Sequence, residues 1–328
     1  MLRTASIGIG WWSNELAAAI QGKSDKIKVI TCFSRSEAKR ADFANSFGTA
    51  QHDSYEAVLA DPEIDAVILT TPHSLHAEHI MAAAAAGKHV FVEKPLALTA
   101  ESARAAATRC REAGVVLAVG QNRRFNATAI EVKKRLDAGE FGSLLHLEAN
   151  FSAPGALSYT PDRWRARRSE SPGGGLAALG IHMIDLVNWI GGPVRRLSAL
   201  SHRRAVPVDI DDTTSAIFTL DSGATGYLGC HFACPYTSFL YLYGTKANAF
   251  AGIDADRLEI QLPNDTPRAV EVKSVDTLRA ELDEFADACA GRAEFRVRPE
   301  EAVHNVAVLA AIVESAARGA APIELPAI

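Results

Sequence analysis

The sequence predicts a doubly wound α/β half followed by an α+β half, on three observations. Up to about Gln121, short apolar segments alternate with segments of helical composition; the first of them ends in the turn Gly8-Ile9-Gly10; and beyond Asn122 the pattern changes to alternating strands interrupted by a few helices. Strand, helix, strand repeated in this way implies a parallel sheet with right-handed crossovers, a Rossmann-type domain whose ligands sit beyond the carboxyl ends of its strands.

In the first half, Ala5 to Gly10 reads as a strand closed by a glycine turn, and Asn14 to Gln21 as a helix with Leu16 and Ile20 on one face. Lys28 to Phe33 is a second strand, and Glu37 to Phe47 a helix stopped by Gly48. Asp65 to Thr70 is a third strand, followed by an Ala-rich helix from His76 to Ala86 that ends at Gly87. His89 to Glu93, a helix from Ala100 to Ala113, and Val115 to Val119 complete the series. In the second half, Leu144–Phe151, Thr213–Leu220, Ala224–Phe232 and Ser238–Tyr243 have strand spacing, with a hairpin turn at Asp221-Ser222-Gly223. Helical patterns run from Ile181 to Ile190, Thr277 to Ala290 and Glu300 to Ala317. The domain boundary is expected at 121/122.

A chain of 328 residues accommodates two such domains, and its apolar and charged fractions are those of a globular protein. The net charge of −5, with no basic stripe, argues against nucleic acid as a partner. The longest apolar stretch, Ile80 to Ala86, is too short to span a bilayer, and the N-terminal residues do not read as a signal peptide, so no membrane partner is expected. Five scattered cysteines fit a reduced cytoplasmic location. Cys230, His231 and Cys234 lack a second ligand pair and read as core residues, with no metal expected.

The strand ends supply the candidate cofactor residues. Gly8 and Gly10 match the first two glycines of G-x-G-x-x-G, with Ser13 in the third slot, where it can serve as a helix N-cap; Trp11 and Trp12 follow the turn directly. At the end of the second strand, Ser34 and Arg35, with Arg40 further on, precede or replace the carboxylate that would bind a ribose 2′-hydroxyl. A hydroxyl beside a guanidinium suits a 2′-phosphate, so NADP(H) is favoured, with NAD(H) still open. Thr71-Pro72, Glu93-Lys94-Pro95 and Gln121-Asn122 fall on the same edge of the predicted sheet.

The run Thr71-Pro72-His73-Ser74-Leu75-His76 and the run Ala86 to Pro95, then Arg124-Phe125, Trp164-Arg165, Gly173-Gly174 and Gly180-Ile181-His182 with Asp185, resemble the glucose–fructose oxidoreductase / inositol dehydrogenase / rhizopine-catabolism family. The resemblance covers the chain in order. It implies that the second domain carries a large, mostly antiparallel sheet, a substrate site and often an oligomer interface, so that a homodimer or homotetramer is expected. It also implies cofactor contacts at Thr71, Pro72, His73, His76, Glu93, Lys94, Gln121 and Arg165, and catalytic roles for Lys94 and His182, with a cis bond between Lys94 and Pro95. A lysine suits the role because its ammonium stabilises the alkoxide-like charge that develops as hydride moves, and imidazole titrates near neutrality. Family members commonly carry an aspartate four residues before the histidine, and this sequence has Ala178 there. Asn122, Arg124, Tyr159, Trp164 and Asp185 are the expected substrate partners, and the arginines at 163, 165, 167 and 168 suit an anionic group.

The implied function is an NAD(P)-dependent oxidoreductase acting on a sugar, polyol or related hydroxy or keto compound. Two alternatives remain open at this point: a dehydrogenase of a cyclic non-sugar, such as a dihydrodiol or an aromatic-derived acid, and a cofactor-binding sensor or scaffold without turnover.

Overall fold

The computed structural model describes residues 1–327. The first half builds a six-stranded sheet from β1 (Leu2–Ile7), β2 (Ile27–Phe33), β3 (Ala50–Gln51), β4 (Ala66–Leu69), β5 (His89–Glu93) and β6 (Leu117–Gly120). All its strands pair in parallel, in the order β3-β2-β1-β4-β5-β6. This is the Rossmann order, and the reversal between β1 and β4 is where such sheets open a crevice for a ligand. The crossovers carry α1 (Trp11–Ile20), α2 (Glu37–Phe47), α3 (Tyr55–Ala60), α4 (His76–Ala85) and α5 (Ala100–Glu112). The inner strands are buried on both faces, which is why they read as continuous apolar runs.

The second half contains α6 (Ala127–Asp137), β7 (Leu144–Ser152), α7 (Ile181–Gly191), β8 (Val194–His202), β9 (Thr213–Leu220), β10 (Thr225–His231), β11 (Thr237–Gly244), β12 (Asn248–Gly252), β13 (Arg257–Gln261) and β14 (Arg268–Val270). With β15 (Ile323–Glu324) these strands form a nine-stranded sheet, antiparallel except where β7 meets β10. One face of that sheet packs against α7 in a core that includes Leu147, Ala149, Ile184, Val187, Leu228, Leu240 and Leu242. The α+β reading and the large, mostly antiparallel sheet both describe this half.

The last helices are α8 (Thr277–Cys289) and α9 (Pro299–Ala317). The chain divides into one compact unit of residues 1–122 and 276–303 and another of 123–275 and 304–327, so α8 belongs with the Rossmann sheet. A single cut at 121/122 leaves this return out. α8 packs on α1 and β2 through Leu282, Phe285 and Ala286, an apolar stripe complementary to a face that the crossover helices leave uncovered.

Two local features differ from the sequence expectation. α1 starts at Trp11, with Gly10 as its N-cap, and Ser13 sits three residues inside it. There the Ser13 hydroxyl accepts from the Gly10 N–H at 2.8 Å and donates to the Gly10 carbonyl at 2.7 Å, tying down the turn from within the helix. The segment leading into α7 is a π-helical turn, Leu176–Gly180.

Candidate active site

In the Rossmann unit, Gly8 adopts φ +89°, and a Cβ there would lie 2.8 Å from Thr71 Cγ2 and 2.9 Å from Thr71 N. Glycine is therefore required where the β1 and β4 loops touch. Thr70 Oγ1 fastens the same loops by donating to the carbonyl of Gly8. Gly10 is extended, and a Cβ on it would meet open space. Beyond it point the free amides of the first turn of α1, which holds no acidic side chain. A helix N-terminus of that kind is suited to a pyrophosphate. The Trp12 indole N–H is buried without an acceptor among the described residues, while Trp11 is 71% exposed.

After β2, Arg35 is exposed and Ser34 half-buried. Arg40 plays a different part from the one expected. Its guanidinium donates to the Ser34 carbonyl at 2.6 Å and reaches Asp53 at 3.3 Å, bracing the loop from behind. No carboxylate stands between the end of β2 and Glu37. The residues at these strand ends thus fit a nicotinamide dinucleotide.

On the neighbouring loops, Thr71, His73, Glu93 and Gln121 are largely buried, and Pro72 and Lys94 half-buried. The Lys94–Pro95 peptide is cis. His76, expected at the cofactor, is fully buried and forms a clamp: Nδ1 lies 2.8 Å from the Pro95 carbonyl and Nε2 3.0 Å from the Thr71 carbonyl. The imidazole thereby joins the β4 loop to the peptide that carries Lys94. Asn122 donates to the Thr277 hydroxyl at 3.3 Å, which holds the end of the β6 segment to the start of α8.

In the second unit, His182 sits in the first turn of α7, only 5% exposed, with its ring 6.2 Å from Phe151. Phe151 also meets Tyr236 at 5.7 Å and carries the Arg123 guanidinium at 4.0 Å. Arg123 pairs with Asp254 at 2.8 Å, and the Tyr236 hydroxyl donates to the same carboxylate. Burial opposes the charge on Asp254, yet Arg123 and Tyr236 hold its carboxyl below the usual range. Burial, with Asp254 beside it, pushes the Tyr236 hydroxyl up to about 12. The sequence pattern assigns no role to Tyr236, Arg123 or Asp254. The latter two lie 131 residues apart, and only the strand register brings them together.

Three of the expected substrate partners have contacts within their own unit. Arg124 and Asp185 are fully buried and bonded to each other, and Tyr159 lies in a small apolar cluster, its ring edge-on to Phe232 at 5.6 Å. Ala178, in the π-helical turn, packs against that cluster. Trp164 is half-buried under the exposed Arg165 guanidinium at 4.3 Å, and Arg163 lies over Tyr159 at 5.1 Å. Arg168 is bonded to Asp211 and Asp209, so the basic segment is partly neutralised. Among the described residues no group of His, Cys, Asp and Glu gathers that could hold a metal ion, and no helix is long and apolar enough to cross a membrane.

The fold and the strand-end loops define a nicotinamide-dependent oxidoreductase of two parts. Residues 2–121 match the model of the oxidoreductase family with an NAD-binding Rossmann fold, and residues 129–250 match the GFO/IDH/MocA C-terminal domain. The chain belongs to the Gfo/Idh/MocA family and is an NAD(P)-dependent oxidoreductase. It is 30% identical to a D-xylose 1-dehydrogenase (NADP(+)) of Haloferax volcanii, with 98% of both chains covered. It is 31% identical to a scyllo-inositol 2-dehydrogenase (NAD(+)) of Bacillus subtilis, over 76% of this chain and 74% of that one. A crystal structure described as an NADPH-dependent oxidoreductase from Desulfitobacterium hafniense superposes with a TM-score of 0.92 at 32% identity, covering 98% of this chain and 97% of that one.

Proposed function

We propose that this protein oxidises a hydroxyl group, or reduces the corresponding carbonyl, of a sugar, a polyol or a related small molecule, and that it prefers NADP(H). The observation that carries the reading is the edge of the Rossmann sheet, where the Gly8 turn, the α1 N-terminus and the loop bearing Lys94 all belong to one unit. The named activities of the xylose and inositol dehydrogenases support the substrate class. When bound, the nicotinamide supplies a hydride acceptor or donor. Gly10 and the first turn of α1 would hold its pyrophosphate, and Ser34 with Arg35 would receive a 2′-phosphate. The Lys94 side chain hydrogen-bonds the reacting oxygen, taking its proton as the neutral amine in oxidation and returning it as the ammonium in reduction, a role for which a positioned amine is apt. His182 serves as the second acid–base group, and Trp164 and Arg165 contribute to binding.

A homodimer or homotetramer fits the second sheet. Its register puts Ile217, Tyr227, Glu148, Tyr241 and Phe250 in one row across neighbouring strands, with Glu148 the single charged member. Ile217 is 64% exposed, and Phe239 stacks on Tyr241 at 4.4 Å on the same face. Apolar and aromatic side chains in such a row mark a surface that another protein covers. Cys32, Cys110, Cys234 and Cys289 are thiols, in keeping with a cytoplasmic setting.

The test is turnover. Pentoses, inositols and anhydrosugars are offered with NADP+ and NAD+, and absorbance of the reduced nicotinamide is followed. Lys94→Met is expected to lose turnover by about a hundredfold or more while still quenching NADPH fluorescence. Undiminished turnover in Lys94→Met removes the mechanism.

A further inference from the structure

The apolar stripe by which α8 packs into the Rossmann unit contains one acid, Glu281, between residues that belong there. It is fully buried, and neither carboxyl oxygen has a hydrogen-bond partner among the described residues. Its position follows from periodicity on both sides. Phe285 is one helical turn further along α8, and its ring packs against Phe91 of β5 at 5.8 Å. Glu93 is two residues after Phe91 and so shares its face of the strand, beside Glu281. Glu93 is itself 7% exposed and fits only because its partner on β6 is Gly120, where a Cβ would lie 2.7 Å from Glu93 Oε1. Two carboxyl groups are therefore packed together beside the end of β5, where the next residue in the chain is Lys94.

The ionisable groups acting on Glu281 are Glu93 from β5, Glu284 on its own helix and Arg296 from the segment after it. Arg296 is committed to Glu284, with Nη2 2.6 Å from Oε2, Nε 3.0 and 3.1 Å from the two oxygens and its N–H donating at 2.8 Å. A charge on Glu281 would thus be buried, unbonded and next to a like charge. Burial first, and Glu93 second, push its carboxyl well above the usual range.

We infer that Glu281 is a positioning residue for Lys94: it stays a neutral acid at working pH, so that the Glu93–Glu281 pair places one negative charge rather than two beside the end of β5 that leads into the lysine. A second carboxylate there would hold the ammonium protonated and blunt its use as a proton acceptor, because a nearby opposite charge favours the charged form. The inference rests on Lys94 being the proton-transfer residue proposed above. A neutral acid in this place also differs from plain core filling: it is a charge held in reserve, released as pH rises.

Two measurements test it without a known substrate. Infrared spectra of the whole protein at neutral pH should show a protonated-carboxylic-acid carbonyl band that disappears in Glu281→Gln and, in the wild type, disappears on alkaline titration. Trace acylation of Lys94, read by mass spectrometry across pH, should show wild type and Glu281→Gln reacting alike up to the pH at which the band disappears, and above it the wild-type lysine holding its proton to higher pH by roughly half a unit or more, since glutamine never ionises. Glu281→Leu should give the same shift, which a loss of packing alone would not. Lack of the band in the wild type overturns the inference. So does a band accompanied by unchanged Lys94 titration, which makes Glu281 a protonated filler. Full turnover in Lys94→Met, with the titration shift present, instead rejects the catalytic reading and leaves the electrostatic link standing.

Discussion

Arg124 and Asp185 form a bidentate ion pair, with Nε–Oδ2 and Nη2–Oδ1 both at 2.7 Å, and the two side chains are 0% and 1% exposed. Asn305 donates to the same carboxylate at 2.6 Å and accepts from Asn188 at 2.8 Å, whose own carbonyl oxygen accepts from the Val194 N–H. The network ties the segment before α6, the middle of α7, α9 and the start of β8 into one frame. Because His182 lies in the first turn of α7, this frame fixes the helix that presents the histidine.

Breaking the pair is expected to cost far more than it contributes, since the remaining charge is left buried without its partner. Asp185→Asn should lower unfolding stability by about 3–5 kcal/mol, and Arg124→Met by a similar amount. Urea unfolding monitored by circular dichroism checks this. A loss below about 1 kcal/mol would mean that water reaches the site.

The clamp formed by His76 yields a different signature. His76→Ala removes the link between the Thr71 carbonyl and the Pro95 carbonyl, so Lys94 loses its positioning while the pyrophosphate turn at Gly8 is untouched. Turnover should fall by about tenfold or more, with NADPH affinity within about threefold of wild type, as expected when orientation alone is disturbed. Equal losses in affinity and turnover would indicate collapse of the whole loop.

Much of the Rossmann half is legible in the sequence because its signals are local. Apolar runs, glycine stops and the caps at Ser36 and Thr99 all act within a turn or a strand. The missing pieces are those whose signal is short or non-local. β3 has two residues and α3 six, too few for periodicity to show. α6 has a local signal in Asn126, which caps it by accepting from the Thr128 and Ala129 N–H groups, but it stands alone between the two patterns, with no neighbouring repeat to point to it. In β8 the register shifts between Val194 and Arg196, which breaks the alternation at the point where the eye begins counting. The roles of Arg124 and Asp185 were hidden for another reason: residue type alone does not tell a polar group aimed at a substrate from one satisfied by a partner 61 residues away. Glu281 did leave a trace, as an acid in the apolar stripe of an otherwise regular amphipathic helix.

Cofactor choice can be read from one exposed cation. Among the described residues, Arg35 is the exposed guanidinium without a bonded partner at the end of β2, since Arg40 is occupied by Ser34 and Asp53. A charge-assisted contact to a 2′-phosphate is worth about 1.5–3 kcal/mol, so Arg35→Ala should weaken NADPH binding by roughly tenfold to a hundredfold and leave NADH within about threefold. Fluorescence titration of both nucleotides measures this. Parallel losses would place Arg35 at the pyrophosphate or in the loop's own structure.

The buried acid also predicts how stability varies with pH. Glu281 has its carboxyl raised in the folded protein above its value in the unfolded chain, so across the interval between those two values the folded state binds more protons. Its contribution to stability is complete below the ordinary glutamate range and declines as pH rises, by up to about 1.4 kcal/mol per pH unit, until the folded-state value is passed. Glutamine at this position has no proton to lose. Glu281→Gln should therefore gain on the wild type steadily as pH is raised from the acid side through neutrality, and the gap should level off only where the folded protein releases the proton. Unfolding free energies of the two proteins measured at a series of pH values give the difference directly. A constant gap from acid to alkaline conditions would show that the carboxyl titrates alike in both states, and a gap that narrows with pH would show that the folded protein favours its charge.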